Sequence, residues 1–157
     1  MISNLPRPLV LATGVFDLLH AEHLMLLQYA SSISGNLIVG INSDDSVRRL
    51  KGPGRPIIGQ HDRVAMLAAL RCVDQVMVFE EDTPLALIMR LRPDVLVKGH
   101  DYGHDGKPMP EAELLKEWGG RVSIAPTTDR VSTSKIIDRV FATRLPWAPT
   151  DKLRKPI

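Results

Sequence analysis

The chain has little cysteine, few aromatic residues and little net charge, and each shortage argues against a class of protein. Cys72 is the single cysteine among 157 residues, so neither an intramolecular disulfide nor a cysteine cage for a metal is possible. We expect it to pack as a small hydrophobic residue. Aromatic residues make up 4% and the formal net charge is +2, which argues against a nucleic-acid-binding surface but allows a local basic pocket.

Long apolar runs are also missing. No run approaches the roughly 20 residues that a membrane span requires, and the first residues, MISNLPRPLVLATG, lack the charged start and the apolar stretch of a signal peptide. We therefore expect a cytoplasmic protein that binds neither membranes nor nucleic acid. The 44% hydrophobic content suits one domain, predicted over residues 1–143 and followed by an extended, proline-rich tail over residues 144–157.

Short apolar runs alternate with amphipathic stretches along this domain. The apolar runs are rich in Val, Ile and Leu without strict polar alternation, as in strands buried on both faces of a parallel sheet. The predicted strands are Pro8–Thr13, Asn36–Ser43, Gln75–Phe79, Asp94–Gly99 and Arg121–Pro126. The predicted helices between them are Ala21–Ser34, Gln60–Arg71, Pro84–Leu91, Glu111–Trp118 and Ser132–Thr143. This order predicts a Rossmann-like α/β fold, a doubly wound parallel five-stranded sheet with helices on both faces, whose ligands bind beyond the carboxyl ends of the strands.

The stretch TGVFDLLHAEH follows the first predicted strand. Gly14 permits a tight turn, and either Asp17 or His20 begins the next helix. His20 and His23 are three residues apart and therefore share one face of its first turn, where free backbone N–H groups and the helix dipole attract anions. A phosphate site is the interpretation we favour. A zinc site lacks a matching second pair of ligands, and a polar helix start without any chemistry is the remaining alternative.

Two cations in the middle of the chain are further candidates. Lys51 lies in RRLKGPGRP, where glycines and prolines predict a mobile, cationic loop. Taken alone, a surface lysine is most often simply solvated. Arg63 lies near the start of the next predicted helix and has two interpretations: a phosphate contact, or an ion pair with Asp62, Glu80 or Glu81.

Polar residues also follow the later strands. Asp44 comes after the second strand, where it either caps a helix or supports the site. Lys98, Gly99, His100 and Asp101 lie at the carboxyl end of the fourth strand, and we favour Asp101 among them as a site residue. The stretch RVSTSKII places Ser132, Thr133 and Ser134 at a second helix start, where one hydroxyl caps the helix and three in a row suit a phosphate chain.

The segment GVFDLLHAEH resembles the G-x-F-D-x-x-H-x-G-H signature of the cytidylyltransferase-like nucleotidyltransferases, with Glu22 in place of the usual glycine. Four later segments resemble successive blocks of the adenylyltransferase domain of bifunctional ADP-heptose synthesis enzymes and, more loosely, glycerol-3-phosphate cytidylyltransferases. These segments are INSDDSVRRLKGPGRPI, DRVAMLAALRCVDQVMVFEEDTP, RPDVLVKGHDY and STSKIIDRV. The resemblance runs in order from Leu9 to Val140. Thr127 stands where the glycerol-3-phosphate enzymes usually carry an arginine, which favours the heptose type.

The resemblance implies that a phosphate oxygen of an acceptor attacks the α-phosphorus of a nucleoside triphosphate and releases pyrophosphate. It implies catalytic roles for His20, His23 and Lys51, with Arg48 or Arg55 supporting the lysine. The implied nucleotide- and phosphate-binding residues are Thr13, Gly14, Phe16, Arg63, Asp101, Ser132, Thr133 and Ser134. Asp44, Lys98 and Gly99 are supporting residues, and Mg²⁺ is expected to arrive with the triphosphate because no carboxylate cage for it is visible.

Three functions follow from the resemblance as expectations. The first is transfer of AMP from ATP to a heptose 1-phosphate-like sugar 1-phosphate. The second uses CTP and glycerol 3-phosphate or another polyol phosphate, and the third is a nucleotide-binding module in which Glu22 weakens the chemistry. Glu22 is expected to point away from the phosphates and to change the floor of the nucleotide site. A homodimer is implied by the stretch LRCVDQV, and the insert DYGHDGKPMPEAELL either shapes the acceptor pocket or is a surface loop.

Overall fold

The structure is a computed structural model that describes residues 5–100, 102, 109–128 and 130–143. The proposed tail, residues 144–157, lies outside the described residues, as does Asp101. The strands are β1 (Val10–Gly14), β2 (Leu37–Asn42), β3 (Gln75–Phe79), β4 (Val95–Lys98) and β5 (Arg121–Ile124). The helices are α1 (Ala21–Ile33), α2 (Asp44–Lys51), α3 (Gln60–Ala68), α4 (Leu85–Leu91), α5 (Pro110–Lys116) and α6 (Thr133–Ala142).

The five strands form one parallel sheet in the order β3-β2-β1-β4-β5, which confirms the predicted fold class. From β1 the chain builds outward through β2 to β3, and it then returns to the other side of β1 to add β4 and β5. The direction of winding therefore reverses between β1 and β4. In open α/β sheets a reversal of this kind leaves a crevice at the carboxyl ends of the two strands.

Successive residues of β1 point to opposite faces of the sheet and enter two separate cores. Val10 belongs to a buried cluster with Leu27 of α1 and Leu67 of α3. Its neighbour Leu11 belongs to a second cluster with Leu91 of α4 and with a buried leucine of α5. The three central strands, β2, β1 and β4, are buried over most or all of their length, which is why they form continuous apolar runs rather than alternating ones.

Helix α2 was absent from the sequence-based prediction. Its sequence, DDSVRRLK, is mostly charged, so the apolar periodicity that identifies a core-facing helix is weak. The hydroxyl of Ser43 caps its start by accepting a hydrogen bond from the Ser46 amide at 3.2 Å. Gly52 ends it with a φ of +94°, a conformation that favours glycine. Lys51 is thus the last residue of a helix, and the prediction of a loop there was wrong.

The other predicted elements are present, with ends that differ from the expected bounds by three residues or fewer. Within the described ranges, no helix is both long enough and apolar enough to cross a membrane.

Candidate active site

A cavity of about 580 Å³ opens at the carboxyl ends of β1 and β4, within the range typical of small-molecule sites. Most residues that the sequence singled out line this one cavity. They are Thr13, Gly14, Phe16, His20, His23, Lys51, Lys98, Gly99, Ser132, Thr133 and Ser134. The two helix starts that carry the histidines and the hydroxyls, those of α1 and α6, therefore border the same space.

The two histidines stack on each other at the start of α1. His20 is the N-cap residue with extended backbone, His23 lies in the first turn, and their ring centroids are 3.7 Å apart. The Nδ1 atoms of both rings are buried, and no described residue gives either atom a hydrogen-bond partner. Because the rings line the cavity while Nδ1 is buried, Nε2 is the nitrogen that can reach a ligand. An orphaned buried N–H is costlier than an unfilled lone pair, so this favours the tautomer with the proton on Nε2.

Burial keeps both imidazoles neutral in the ligand-free protein. The pKa of His23 is lowered to about 4, mainly because burial disfavours the charged ring and also because His20 lies against it, while Asp17 opposes the change. The pKa of His20 is lowered by burial as well, and Glu22 partly offsets that effect. The rings are therefore uncharged hydrogen-bond donors at neutral pH, and their protonation becomes easier when an anion lies beside them.

Phe16 sets the geometry of the turn that leads to the histidines. Its φ of 50° lies in the left-handed region, which a bulky residue rarely adopts. The buried ring packs 5.0 Å from the ring of His23, centroid to centroid, on the floor of the cavity. Gly14 leaves room for this ring, since a Cβ there would lie 3.1 Å from it. Phe16 thus supports His23 directly.

Asp17 does not begin a helix, contrary to one of the two expectations for it, because α1 starts at Ala21 with His20 as its cap. Its carboxylate is buried and accepts hydrogen bonds from the amides of Ile57 and Ile58, each at 2.8 Å. It also accepts one from Nε of Arg55 at 2.6 Å. Asp17 therefore fixes the segment between α2 and α3 against the turn that follows β1.

Arg63 is buried and is not among the residues that line the cavity. Its guanidinium donates to the backbone oxygens of Val15 at 2.7 Å and Ile58 at 3.0 Å, and to Asp44 at 2.8 Å. The expected ion-pair partners Asp62, Glu80 and Glu81 were therefore wrong, and the partner is Asp44. The geometry gives Arg63 and Asp44 a positioning role under the site in place of the expected contact with phosphate.

Among the described residues, three cationic side chains of lysine or arginine line the cavity, and two of them are paired with carboxylates. Nζ of Lys98 is 3.3 Å from Oε1 of the buried Glu111 and donates to the hydroxyl of Thr13 at 3.2 Å. Arg55 is paired with Asp17. Lys51, exposed at the end of α2, has no carboxylate partner among the described residues, so its charge is the one available to a ligand.

The start of α6 supplies hydroxyl groups to the lining of the cavity. Ser132 is its N-cap and accepts a hydrogen bond from the Lys135 amide at 3.2 Å, so its hydroxyl oxygen has the capping role that the sequence predicted for one of the three. Thr133 and Ser134 begin the helix and line the cavity. Free N–H groups at such a helix start favour an anion.

Glu22 lines the cavity but turns its carboxylate to the loop after β5. It accepts hydrogen bonds from the amides of Thr128 at 2.7 Å and Arg130 at 3.2 Å, and from the Thr128 hydroxyl. These bonds, led by the one from the hydroxyl, lower the pKa of Glu22. The carboxylate is therefore bound to the loop after β5 and does not project into the cavity as the floor of a nucleotide site.

A family model described as cytidylyltransferase-like matches residues 11–139. The chain belongs to the cytidylyltransferase-like family. It is 50% identical over 135 residues to the bifunctional protein HldE of Pelobacter propionicus, covering 86% of this chain and 27% of that protein. It is 49% identical over 138 residues to the D-beta-D-heptose 1-phosphate adenylyltransferase of Bordetella bronchiseptica, covering 87% of this chain and 84% of the relative. The chain therefore spans 27% of the length of the bifunctional relative but most of the single-function one.

Two solved structures have a similar fold. The lipopolysaccharide core biosynthesis protein of Thermoplasma volcanium matches with a TM-score of 0.64 and 25% identity, covering 76% of this chain and 97% of its own. Pantoate-beta-alanine ligase of Francisella tularensis matches with a TM-score of 0.57 and 16% identity, covering 89% of this chain and 73% of its own. The second likeness is one of fold alone.

Three carboxylate contacts of the site were not predicted from the sequence of this cytidylyltransferase-like chain. They are those of Asp17, Glu22 and Glu111, whose carboxylates are all buried. The available signal was an acidic residue inside or beside each motif, but the donors lie 13 to 108 residues away along the chain. Asp101 lies outside the described residues, so its role beside the nucleotide stays a prediction.

The contacts of Arg63 predict that Arg63→Ala lowers stability more than it changes catalysis. Removing it leaves Asp44 and two backbone oxygens without their donor, and breaking one side of a buried pair typically costs about 3 kcal/mol or more. Urea unfolding measures this loss. The control is Arg48→Ala, which removes an exposed pair with Asp45 and is expected to cost less than about 1 kcal/mol. Unchanged stability with a raised KM for the nucleotide would return Arg63 to the phosphate-binding set.

The low pKa of His23, about 4, predicts a specific pH dependence of stability. Between that value and the pKa of about 6.5 of an unfolded histidine, the unfolded chain binds more protons than the folded chain. The free energy of unfolding therefore falls as the pH is lowered from 6.5 towards 4, by at most roughly 1.4 kcal/mol per pH unit for one proton. Urea unfolding at pH 7, 6 and 5 tests this. His23→Asn is expected to give a shallower slope, and an identical slope would contradict the neutral, buried ring.

Proposed function

We propose that the chain is an adenylyltransferase that transfers AMP from ATP to a heptose 1-phosphate and releases pyrophosphate. The observation that carries the proposal is a cavity at the switch point of the sheet that joins neutral histidines, the start of α6 and Lys51, which has no carboxylate partner among the described residues. The single-function relative named for this activity, 49% identical, supports the choice of substrates. The product is then an ADP-heptose.

The reaction requires an in-line displacement at the α-phosphorus of ATP. A phosphate oxygen of the sugar 1-phosphate forms a new P–O bond to that phosphorus, and the bond from it to the bridging oxygen of the β-phosphate breaks. Pyrophosphate leaves with the bonding electron pair. Because no covalent bond to the protein is needed, the chain contributes by orienting the two anions and by stabilising charge that develops on the phosphoryl oxygens.

The residues of the cavity suit these two tasks. His20 and His23 donate hydrogen bonds from Nε2 to phosphoryl oxygens, and an uncharged, desolvated donor gains strength as negative charge builds up on its acceptor. Lys51 adds a flexible point charge at the end of α2. The N–H groups and hydroxyls at the start of α6 bind the outgoing phosphates. Lys98, held by Glu111, carries its positive charge to the carboxyl end of β4.

We also propose that Mg²⁺ accompanies the triphosphate. Among the described residues no group of three or more His, Cys, Asp or Glu side chains is arranged to hold a metal ion. A Mg²⁺ ion bound by phosphate oxygens and water needs no such group, so the donor set of this cavity fits an ion that enters with its nucleotide. Its contribution is to neutralise charge on the phosphate chain.

We propose that the reaction takes place in the cytoplasm, where ATP is available.

We also propose that the chain forms a homodimer. In support of the dimer, β3 is an edge strand with a partly exposed Val78, and Met66 of the adjacent α3 is also partly exposed. Edge strands and exposed apolar side chains are common at interfaces between copies. Sedimentation velocity measures the mass of the protein in solution. The mass of a monomer at micromolar concentration would contradict the proposed dimer.

The proposed activity predicts pyrophosphate release that depends on both substrates. ATP, CTP, GTP and UTP are each combined with heptose 1-phosphate, other sugar 1-phosphates and glycerol 3-phosphate, with Mg²⁺ present. The expected result is the highest kcat/KM for ATP with heptose 1-phosphate. Activity restricted to CTP and glycerol 3-phosphate would support the cytidylyltransferase alternative. Nucleotide binding without pyrophosphate release under every combination would support the binding module.

The histidines predict a loss of turnover that is separate from folding. His20→Ala or His23→Ala removes one donor to the transition state and is expected to lower kcat by roughly 100-fold or more. His61→Ala is the matched control, because His61 is exposed on α3 and does not line the cavity. Steady-state kinetics and thermal unfolding are measured on the same samples. A kcat equal to that of the control would remove the histidines from the mechanism.

A further inference from the structure

The carboxylate of Glu22 joins two parts of the chain that lie far apart in sequence. Glu22 is in the first turn of α1 and is 9% exposed, so its charge requires partners. Among the described residues, Thr128 and Arg130 give it three hydrogen bonds, and they are 106 and 108 residues further along the chain. Two of the donors are backbone amides, so the carboxylate holds the course of the loop as well as one side chain.

This loop determines where α6 begins. It connects β5 to Ser132, the N-cap of α6, and Thr133 and Ser134 follow directly. Helix α6 has no buried residue, and Val140 and Phe141 are 59% and 81% exposed. Apolar packing of the described residues therefore contributes little to the position of this helix. Its start depends instead on polar contacts of the preceding loop.

Only a few polar contacts hold the described part of that loop. His100 bonds the Thr127 hydroxyl, through its amide at 3.1 Å and its ring Nδ1 at 2.6 Å. Glu22 holds the next residue, Thr128, and then Arg130. The bonds to Glu22 are the ones nearest to the serines and the threonine of α6, and they start from the same helical turn as His20 and His23.

We propose that Glu22 is a positioning residue that aligns the start of α6 with the start of α1, and that it thereby sets the affinity of the site for the nucleoside triphosphate. The inference rests on the proposed function, since it assigns the phosphate chain of the nucleotide to the space between the two helix starts. A glycine at this position has no side chain to make these bonds. Glu22 is therefore part of the binding architecture and does not weaken the chemistry.

The test compares Glu22→Ala and the milder Glu22→Gln with the parent. Isothermal titration with a non-hydrolysable ATP analogue and Mg²⁺ measures affinity without turnover, and pyrophosphate release gives KM and kcat. Glu22→Ala is expected to raise both the Kd of the analogue and the KM for ATP about tenfold, the scale of one lost charge-assisted bond, with kcat within about twofold. Glu22→Gln retains one oxygen acceptor and is expected to lose less. Glu113→Gln, an exposed glutamate paired with Lys116, is the matched control.

A double-mutant cycle ties the effect to the loop. Thr128→Ala removes one of the three donors, so it is expected to weaken binding less than Glu22→Ala, and the two changes together are expected to be less than additive. Full additivity would overturn the proposal. A lower thermal midpoint with an unchanged Kd would show that Glu22 has only a structural role. A fall in kcat with a shifted pH profile would show that Glu22 acts by changing the protonation of His20. Either result overturns the proposal.

The binding measurement separates this inference from the proposed function. If no acceptor supports pyrophosphate release but Glu22→Ala still weakens binding of the analogue, the proposed function fails and the positioning role stands. If release occurs and all variants bind the analogue equally, the function stands and the positioning role fails. Should Glu22→Ala not fold, Glu22→Gln and Thr128→Ala carry the same comparison.

Discussion

The bonds of the buried Asp17 carboxylate are the interaction on which the rest of the site depends. Its donors come from Arg55 and from the amides of Ile57 and Ile58, so it fastens the segment between α2 and α3 to the turn after β1. Arg63 connects the same two segments by donating hydrogen bonds to the backbone oxygens of Val15 and Ile58. Lys51 directly precedes this segment, so these contacts help to hold the end of α2 at the cavity, together with Arg49 of α2, which pairs with Asp82 and donates to the Glu80 oxygen.

Buried carboxylates that bind another segment of the chain also occur elsewhere around the cavity. Glu22 fastens the loop that leads to α6, and Glu111 of α5 fastens Lys98 at the end of β4. Each is a buried carboxylate whose partners come from another segment. Burying a carboxylate is costly even when it is paired, so such bonds add little net stability. What they provide is a defined position for loops that have few apolar contacts with the core.

The fold was predictable to the extent that it depends on local pattern. The apolar runs identified all five strands, because strands covered on both faces need apolar side chains on both sides. Helix α2 was not predicted because it lies on the surface and its sequence, DDSVRRLK, is mostly charged. The sequence placed the histidines and the hydroxyls of α6 at helix starts, and the structure has both there, lining one cavity. It could not identify the partners of Arg63, Glu22 or Lys98, since each pairing depends on the tertiary arrangement of distant segments.

Under the proposed function, the distribution of charge explains how one cavity can bind two anions and still release a product. Two of the three lysine and arginine charges that the described residues bring to the cavity are neutralised by Asp17 and Glu111, and the imidazoles are uncharged in the ligand-free state. A fixed excess of cations would bind substrates and products with similar strength and would add little to the rate. Neutral, desolvated donors respond mainly to the charge that develops during transfer. The field that favours the reaction therefore arises largely when the substrates are bound, from the histidines, from Lys51 and from the dipoles of two helices that buried carboxylates hold in place.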